Sequence, residues 1–152
     1  MRLFVISTLF VFPFYAFTQT LTWYSIEEAE LLCRKEPRKI LIDVYTDWCG
    51  WCKKMEKETF NNPTIVSYLS QHFYPVRLNA ETHDTIKFLN HVFINPRKGI
   101  RSTHQLGAAL LKGKMSYPSV VYMNSDFTIF TVVPGYMSPQ DIEPVLVFFR
   151  EE

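Results

Sequence analysis

The chain has 152 residues, 47% of them hydrophobic, which is material for one compact domain with a full core and argues against a second domain. Its 16 basic and 15 acidic residues give a formal net charge of +1, so the composition lacks the electrostatic signature of a nucleic-acid-binding protein. We therefore expect no nucleic acid among its partners.

Residues 1–18 have the pattern of a secretory signal peptide. Arg2 supplies a positive charge, an almost wholly apolar run follows, and the small residues of Ala16-Phe17-Thr18 fit cleavage before Gln19. The run is shorter than the ~20 residues that span a bilayer, although an uncleaved membrane anchor stays the alternative. We therefore predict an exported protein, periplasmic or extracellular after cleavage, with one domain over residues 19–152.

The first predicted helix begins with the capping box Ser25-Ile26-Glu27-Glu28 and ends before Pro37. Cys33 lies on this amphipathic stretch. Because free cysteine is among the most buried residue types, we predict a buried thiol there, with a resolving or intermolecular role as the alternative.

Cys49 and Cys52 lie between a predicted buried strand, Lys39–Tyr45, and a predicted helix, Cys52–Glu58. Two thiols three residues apart at the start of a helix can form a disulfide with each other, which makes them a two-electron redox couple. At a strand-to-helix junction this spacing favours redox chemistry over a zinc ribbon. A metal site would need two further ligands that the sequence does not supply in register, so we predict neither a metal nor a cofactor.

Cys49 is the predicted nucleophile, because unpaired backbone N–H groups and the positive end of the helix macrodipole favour its thiolate. The thiolate would attack a substrate disulfide, and Cys52, one turn inside the helix and more shielded, would attack the resulting mixed disulfide. Asp43, on the strand beneath, is the candidate base for the Cys52 proton, a role that needs a pKa raised by burial. The alternative is a structural acid paired with Arg77.

Helices and strands continue to alternate after the cysteine motif. A helix is predicted to begin at Asn62-Pro63 and a strand to follow over Tyr74–Asn79, and the β-α-β order predicts that this strand is parallel to the first. Short alternating runs on both sides of Asn90-His91 predict a β-hairpin with a tight turn, within an insertion over about residues 82–101. The basic, turn-rich segment Asn95–Gly99 follows, and we expect its charges to be solvated.

The last part of the chain contains one more helix, a strand pair and a final helix. Ser102-Thr103-His104-Gln105 has the pattern of a capping box for a helix through Leu111. Two strands, Ser119–Met123 and Thr128–Val133, have the spacing of an antiparallel hairpin, and the last helix begins at Ser138.

Four segments carry a resemblance to a known family: Ile42 through Lys53, Val76-Arg77-Leu78-Asn79, Tyr117-Pro118-Ser119 and Gly135. In this order they resemble the strand, buried aspartate and active-site helix, the next strand, the cis-proline loop and the glycine after the last strand of the thioredoxin family, over nearly all of the chain after residue 18. The similarity is greatest to exported thioredoxin-like proteins with a Trp-Cys-Gly-Trp-Cys-Lys active site. It implies an α/β, thioredoxin-like fold, with a central mixed sheet flanked by helices and a β-hairpin insertion before the cis-proline loop, and the activity of a protein-disulfide oxidoreductase.

The resemblance also implies a substrate site. The Tyr117–Pro118 bond is expected to be cis and to face Cys49, which leaves the backbone N–H and C=O of Tyr117 free to pair with an extended substrate segment. Trp51, with Trp48 beside it, offers an exposed ring for gripping that segment. The expected partners are protein substrates with disulfides or dithiols, and a redox partner in the membrane or envelope.

The sequence leaves the redox direction and one alternative function open. Trp51 replaces the proline of the reducing thioredoxins and the histidine of the isomerase-type domains, and reduction potentials in this fold span about 150 mV, roughly 7 kcal/mol for a two-electron couple. The alternative function is a client-binding module with little redox activity, in which the hairpin around Asn90 is the contact surface and the cysteines are idle.

Overall fold

The structure is a computed structural model that describes residues 20–152, so the predicted signal peptide and its cleavage site lie outside the described residues. Between residues 20 and 152, no helix is long and apolar enough to cross a membrane. The helices and strands are, in chain order, α1 (Ile26–Lys35), β1 (Lys39–Tyr45), α2 (Gly50–Glu58), α3 (Pro63–His72), β2 (Phe73–Asn79), β3 (Ile86–Phe88), β4 (His91–Phe93), α4 (Gln105–Leu110), β5 (Ser119–Met123), β6 (Ile129–Pro134) and α5 (Pro139–Glu151).

Four strands form a mixed sheet in the order β2-β1-β5-β6. β1 and β2 are parallel, as the β-α-β order predicts, whereas β5 is antiparallel to both β1 and β6. The antiparallel register pairs Val44, near the end of β1, with Ser119, the first residue of β5. The Cys49 motif, which follows β1, and the Tyr117-Pro118 loop, which precedes β5, therefore lie at the same end of the sheet.

Alternation along β1 assigns its side chains to two hydrophobic cores. Ile40, Ile42 and Val44 pack with residues of α1, α4 and the β3–β4 hairpin, whereas Leu41 packs on the opposite face with residues of α2, α3 and α5. Asp43 has the same parity as Leu41, so its carboxyl group lies on the face that α2 covers. The predicted α/β architecture, a mixed sheet flanked by helices, is confirmed. Asp43 lies on the face of β1 that is covered by α2, the helix that begins at the cysteine motif.

The helix starts that depend on local sequence agree with the predictions. Ser25 and Ser138 each form a capping box with the residue three positions on, and Asn62 caps α3. Cys33 is a buried free thiol, as predicted, and its Sγ lies 3.2 Å from the carbonyl oxygen of Arg38.

The predicted β-hairpin is present, but its turn lies one residue earlier than expected. Phe88 pairs with His91, so the turn residues are Leu89 and Asn90, which both have positive φ (50° and 63°). Two successive positive φ angles are the backbone of a type I′ turn. The Leu89 N–H donates to the carboxylate of Glu30 on α1 at 3.0 Å, and this contact with a distant part of the chain helps to fix the register.

The capping box predicted at Ser102 was wrong. α4 begins at Gln105, and its N-cap is the buried His104, whose Nδ1 accepts the N–H of Leu106 at 3.2 Å. The Gln105 carboxamide oxygen accepts the N–H of Ile94 at 3.0 Å, so it does not reach back towards Ser102. The contact between Gln105 and Ile94, the residue after β4, therefore replaces the capping box that the local sequence predicts.

Candidate active site

Cys49 and Cys52 form a disulfide at the start of α2. Cys49 is the N-cap of this helix, and its Sγ accepts the backbone N–H of Cys52 at 3.1 Å. The two residues are 4% and 2% exposed, so the predicted difference in shielding between them is small in the oxidised state. A sulfur atom that accepts a helical N–H at the positive end of the macrodipole is well placed to carry negative charge.

Asp43 lies on β1, on the face covered by α2, and is 1% exposed. Burial raises the pKa of its carboxyl group to about 7, against the lowering effect of the Arg77 guanidinium. Within residues 20–152, Oδ1 of Asp43 has no hydrogen-bond partner, and Nε of Arg77 lies 3.5 Å from Oδ2 without forming a hydrogen bond. A carboxyl group with this pKa exchanges its proton near neutral pH.

Arg77 lies beside Asp43 because the parallel register of β1 and β2 pairs the two residues. Its terminal nitrogens donate to the carboxylate of Glu56, on α2, at 2.7 and 3.1 Å, which makes a bidentate ion pair. The guanidinium also lies over the ring of Tyr45, 4.4 Å from the centroid. Asp43 therefore has features of both interpretations. Its pKa is raised, as a base for the Cys52 proton requires, and it also faces Arg77, as a structural acid would, although the hydrogen bonds of Arg77 go to Glu56.

A surface pocket of about 230 Å³ opens beside Cys52. Glu56 and Arg77 line it, together with Thr46 from the segment between β1 and the motif. The pocket therefore lies next to the inner cysteine, which is itself 2% exposed, on the side of the Glu56–Arg77 pair.

The loop before β5 has the geometry that the resemblance implies. The Tyr117–Pro118 bond is cis. The carbonyl oxygen of Pro118 accepts the N–H of Gly135 at 2.7 Å, which ties this loop to the glycine after β6. In the part of the chain that the structure describes, neither the backbone N–H nor the C=O of Tyr117 has a hydrogen-bond partner. These two groups are therefore free at the end of the sheet where the disulfide lies.

Two exposed tryptophans adjoin the cysteines in sequence: Trp48 is 50% and Trp51 is 58% exposed. Trp48 meets Tyr117 edge to face, with 6.1 Å between ring centroids, and Trp51 lies against Tyr136 at 5.5 Å. Lys54 lies over the Trp51 ring, 5.1 Å from its centroid. The predicted substrate contacts Trp51 and Tyr117 therefore belong to two different aromatic pairs. The tryptophan of each pair directly precedes one of the two cysteines.

Two residues of this site were missed from sequence. Glu56 fits the pattern of a solvated helix face, yet it lies four residues after Cys52, on the same side of α2, and this spacing is the signal that could have identified it. Tyr136 carries no such signal, because its position follows from the bond between Gly135 and Pro118. For residues 20–152, no group of three or more His, Cys, Asp or Glu side chains could hold a metal ion.

Comparison with known proteins gives a family match and several structural neighbours. A family model described as a thioredoxin-like domain matches residues 26–150. The thiol:disulfide interchange protein DsbD of Pectobacterium atrosepticum is 43% identical over 37 residues, which are 24% of this chain and 6% of that protein. The chain therefore spans only a small part of the length of this curated relative.

Two solved structures resemble the chain over most of its length. The first, described as a DsbH oxidoreductase, has a TM-score of 0.65 at 13% identity and covers 95% of each chain. The second, a putative disulphide-isomerase from Bacteroides thetaiotaomicron, has a TM-score of 0.60 at 21% identity and covers 90% of this chain and 99% of the other. At these identities the likeness shows a shared fold. This chain therefore combines the fold with a CxxC pair in the position of thiol-disulfide oxidoreductases.

Proposed function

Because this chain belongs to the thioredoxin-like domain family, we propose that it is a thiol-disulfide oxidoreductase that acts on protein disulfides or dithiols through Cys49 and Cys52. The observation that carries the proposal is the disulfide at the N-terminus of α2, where Cys49 Sγ accepts a helical N–H. This position favours the thiolate that disulfide exchange requires.

The reaction has two exchange steps. In the reducing direction, the Cys49 thiolate attacks one sulfur of a substrate disulfide, forms a mixed disulfide and releases the other substrate sulfur as a thiolate. Cys52 loses its proton and attacks the Cys49 sulfur, which forms the Cys49–Cys52 disulfide and releases the second substrate thiol. Two electrons have then passed from protein to substrate. The same steps in reverse oxidise a substrate dithiol.

Asp43 is the proposed acceptor of the Cys52 proton. A general base is most effective when its pKa lies near the working pH, and burial brings the Asp43 carboxyl to about 7. Arg77, whose Nε lies 3.5 Å from the Asp43 carboxylate, lines the surface pocket beside Cys52 together with Glu56.

Substrate binding is proposed for Trp51, Tyr117 and Pro118. The free N–H and C=O of Tyr117 can pair with an extended segment, in the manner of a strand added to a sheet edge. The exposed ring of Trp51 provides an apolar surface for a side chain of that segment.

We propose that the enzyme works in the cell envelope with a redox partner there. The support is the signal-peptide pattern of residues 1–18 and the similarity to a protein named for thiol:disulfide interchange. Expression of the full chain should yield a secreted species whose N-terminal sequence begins at Gln19. A membrane-bound product that retains Met1 would instead support the uncleaved anchor.

The assigned cysteine roles can be tested by trapping. Cys52→Ser removes the resolving thiol, so the reduced variant should accumulate a mixed disulfide with a disulfide-bonded peptide through Cys49. Cys49→Ser is the matched control and should accumulate little. Non-reducing gels and mass spectrometry detect the adducts, and the reverse pattern would contradict the roles. Adducts from neither variant would favour the client-binding alternative.

A further inference from the structure

We propose that residues 96–101 form a docking loop that selects substrate segments with acidic residues near the disulfide, with Arg101 as the contact residue. The inference rests on the proposed oxidoreductase function and names a substrate class for it. The loop, Pro96-Arg97-Lys98-Gly99-Ile100-Arg101, contains three cations and no acid. The charges of Asn95–Gly99 were expected to be solvated, and Arg101, two residues beyond that segment, lies against Trp48 beside the cysteine motif.

Arg101 lies over the ring of Trp48, with its guanidinium carbon 4.4 Å from the ring centroid. Trp48 directly precedes Cys49 and contacts Tyr117, whose free backbone groups are the proposed substrate-pairing site. The stack therefore fixes a positive charge beside the place where a substrate segment would lie. Stacking uses the face of the guanidinium and leaves the N–H groups at its edge free for a carboxylate.

Two acidic side chains adjoin Trp48, Glu81 by contact and Asp47 in sequence, and each accepts a hydrogen bond from a residue other than Arg101. The Glu81 carboxylate accepts the indole N–H of Trp48 at 3.0 and 3.1 Å, and the Asp47 carboxylate accepts the Asn79 amide at 3.0 Å. In residues 20–152, Arg101 forms neither an ion pair nor a hydrogen bond. Its hydrogen-bonding edge is thus available to a partner with carboxylate groups, and a bidentate contact is the strongest it can make.

The loop is held in this position by a buried asparagine. Asn95 is 6% exposed, and its amide nitrogen lies 2.7–3.2 Å from the carbonyl oxygens of Glu81, Thr82 and Ser102. Its amide oxygen accepts the N–H of Arg97 at 2.9 Å. These bonds join both ends of the loop to the segment after β2, which also supplies the Glu81 partner of Trp48. A loop ordered in advance loses less entropy when a substrate binds.

Beyond its charges, the loop offers an apolar contact. Ile100 is fully exposed at its tip, beside Arg101 in sequence. Arg97 and Lys98 form no salt bridge with any other described residue, so they extend the positive surface away from Trp48. Complementary charges act mainly on the rate and selectivity of encounter, which are the quantities to measure.

The test uses single-turnover reduction of matched peptides. Two peptides with one intramolecular disulfide differ only in the two residues that flank a cysteine, Asp-Asp in one and Asn-Asn in the other. The reduced protein supplies the electrons, so each turnover forms one Cys49–Cys52 disulfide and opens one peptide disulfide. The second-order rate constant should be about three- to tenfold higher for the acidic peptide at low ionic strength. The ratio should approach one at about 1 M salt, where the screening length is about 3 Å.

Variants test whether Arg101 causes the faster reduction of the acidic peptide. Arg101→Gln should reduce the ratio of the two rate constants towards one, and Arg101→Lys should restore part of it, because the charge returns without the planar fork. Lys87→Gln removes an exposed cation from the hairpin and should keep the wild-type ratio.

Two outcomes would overturn the inference. A wild-type ratio of one, or a ratio that Arg101→Gln leaves unchanged, would refute the docking role while the proposed function stands. Failure to reduce either peptide would refute the proposed function itself, and the inference with it.

Discussion

Replacing Asp43 by asparagine should stabilise the oxidised protein above neutral pH and remove one pH dependence of its stability. Burial raises the pKa of this carboxyl group to about 7 in the folded protein, whereas an aspartate in the unfolded chain titrates near 3.9. Between these values the folded protein keeps a proton that the unfolded chain has lost. The free energy of unfolding must therefore fall as the pH rises, by about 1.4 kcal/mol per pH unit.

The total change in the free energy of unfolding depends on the interval between the pKa values of Asp43 in the unfolded and folded states. Below about pH 4 both states are protonated, and above about pH 7 both are ionised, so the contribution changes only between them. An interval of about three pH units corresponds to roughly 4 kcal/mol. Because asparagine cannot ionise, the stability difference between Asp43→Asn and the wild type should rise by this amount from about pH 4 to pH 8.

Urea unfolding of both oxidised proteins at several pH values measures this difference, and the other titrating groups cancel from it. Asp47→Asn, at an exposed position after β1, controls for the general loss of an aspartate. A difference that does not change with pH would refute the raised pKa. A difference that falls as the pH rises would mean that the Arg77 ion pair dominates, which is the structural interpretation of Asp43.

Three further outcomes follow from the same contacts. Arg77→Met should move the stability transition assigned to Asp43 to higher pH, because it removes the charge that lowers this pKa; an unchanged transition would contradict the pairing. Asn95→Ala should reduce the free energy of unfolding by about 1–3 kcal/mol, measured in urea, because it leaves buried carbonyl groups without a donor; Asn61→Ala, at an exposed position, should have little effect. Trp51→Ala should slow single-turnover peptide reduction by about three- to tenfold at unchanged urea stability, and equal rates would remove Trp51 from the substrate site.

The parts of the fold that depend on neighbouring residues could be predicted from the sequence. Lys39–Tyr45 is apolar enough for a central strand, and the capping serines Ser25 and Ser138 satisfy helix N–H groups within their own turn. The cysteine spacing located the disulfide for the same reason, since both thiols lie on one turn of α2. Resemblance to a family added the cis bond at Pro118, which local sequence alone does not specify.

The errors came from contacts between distant parts of the chain. At Ser102 the capping-box pattern was complete, but the Gln105 side chain bonds to Ile94 instead, and His104 takes the cap. At the hairpin, the carboxylate of Glu30 binds the turn at Leu89. Neither partner can be identified from spacing, because each becomes a neighbour only after the sheet and its helices have packed.

The pKa of Asp43 could not be predicted from the sequence for the same reason. It depends on which carboxylate the guanidinium of Arg77 binds. If the fork of Arg77 bound Asp43 directly, the bidentate pair would favour the ionised acid and lower its pKa. Instead the fork binds the half-exposed Glu56, and only Nε approaches Asp43, at 3.5 Å. The negative charge of Glu56 further disfavours ionisation of Asp43. Burial, with a smaller contribution from Glu56, therefore holds the pKa of Asp43 at about 7 against the effect of Arg77, which is the value that its proposed role as acceptor of the Cys52 proton requires.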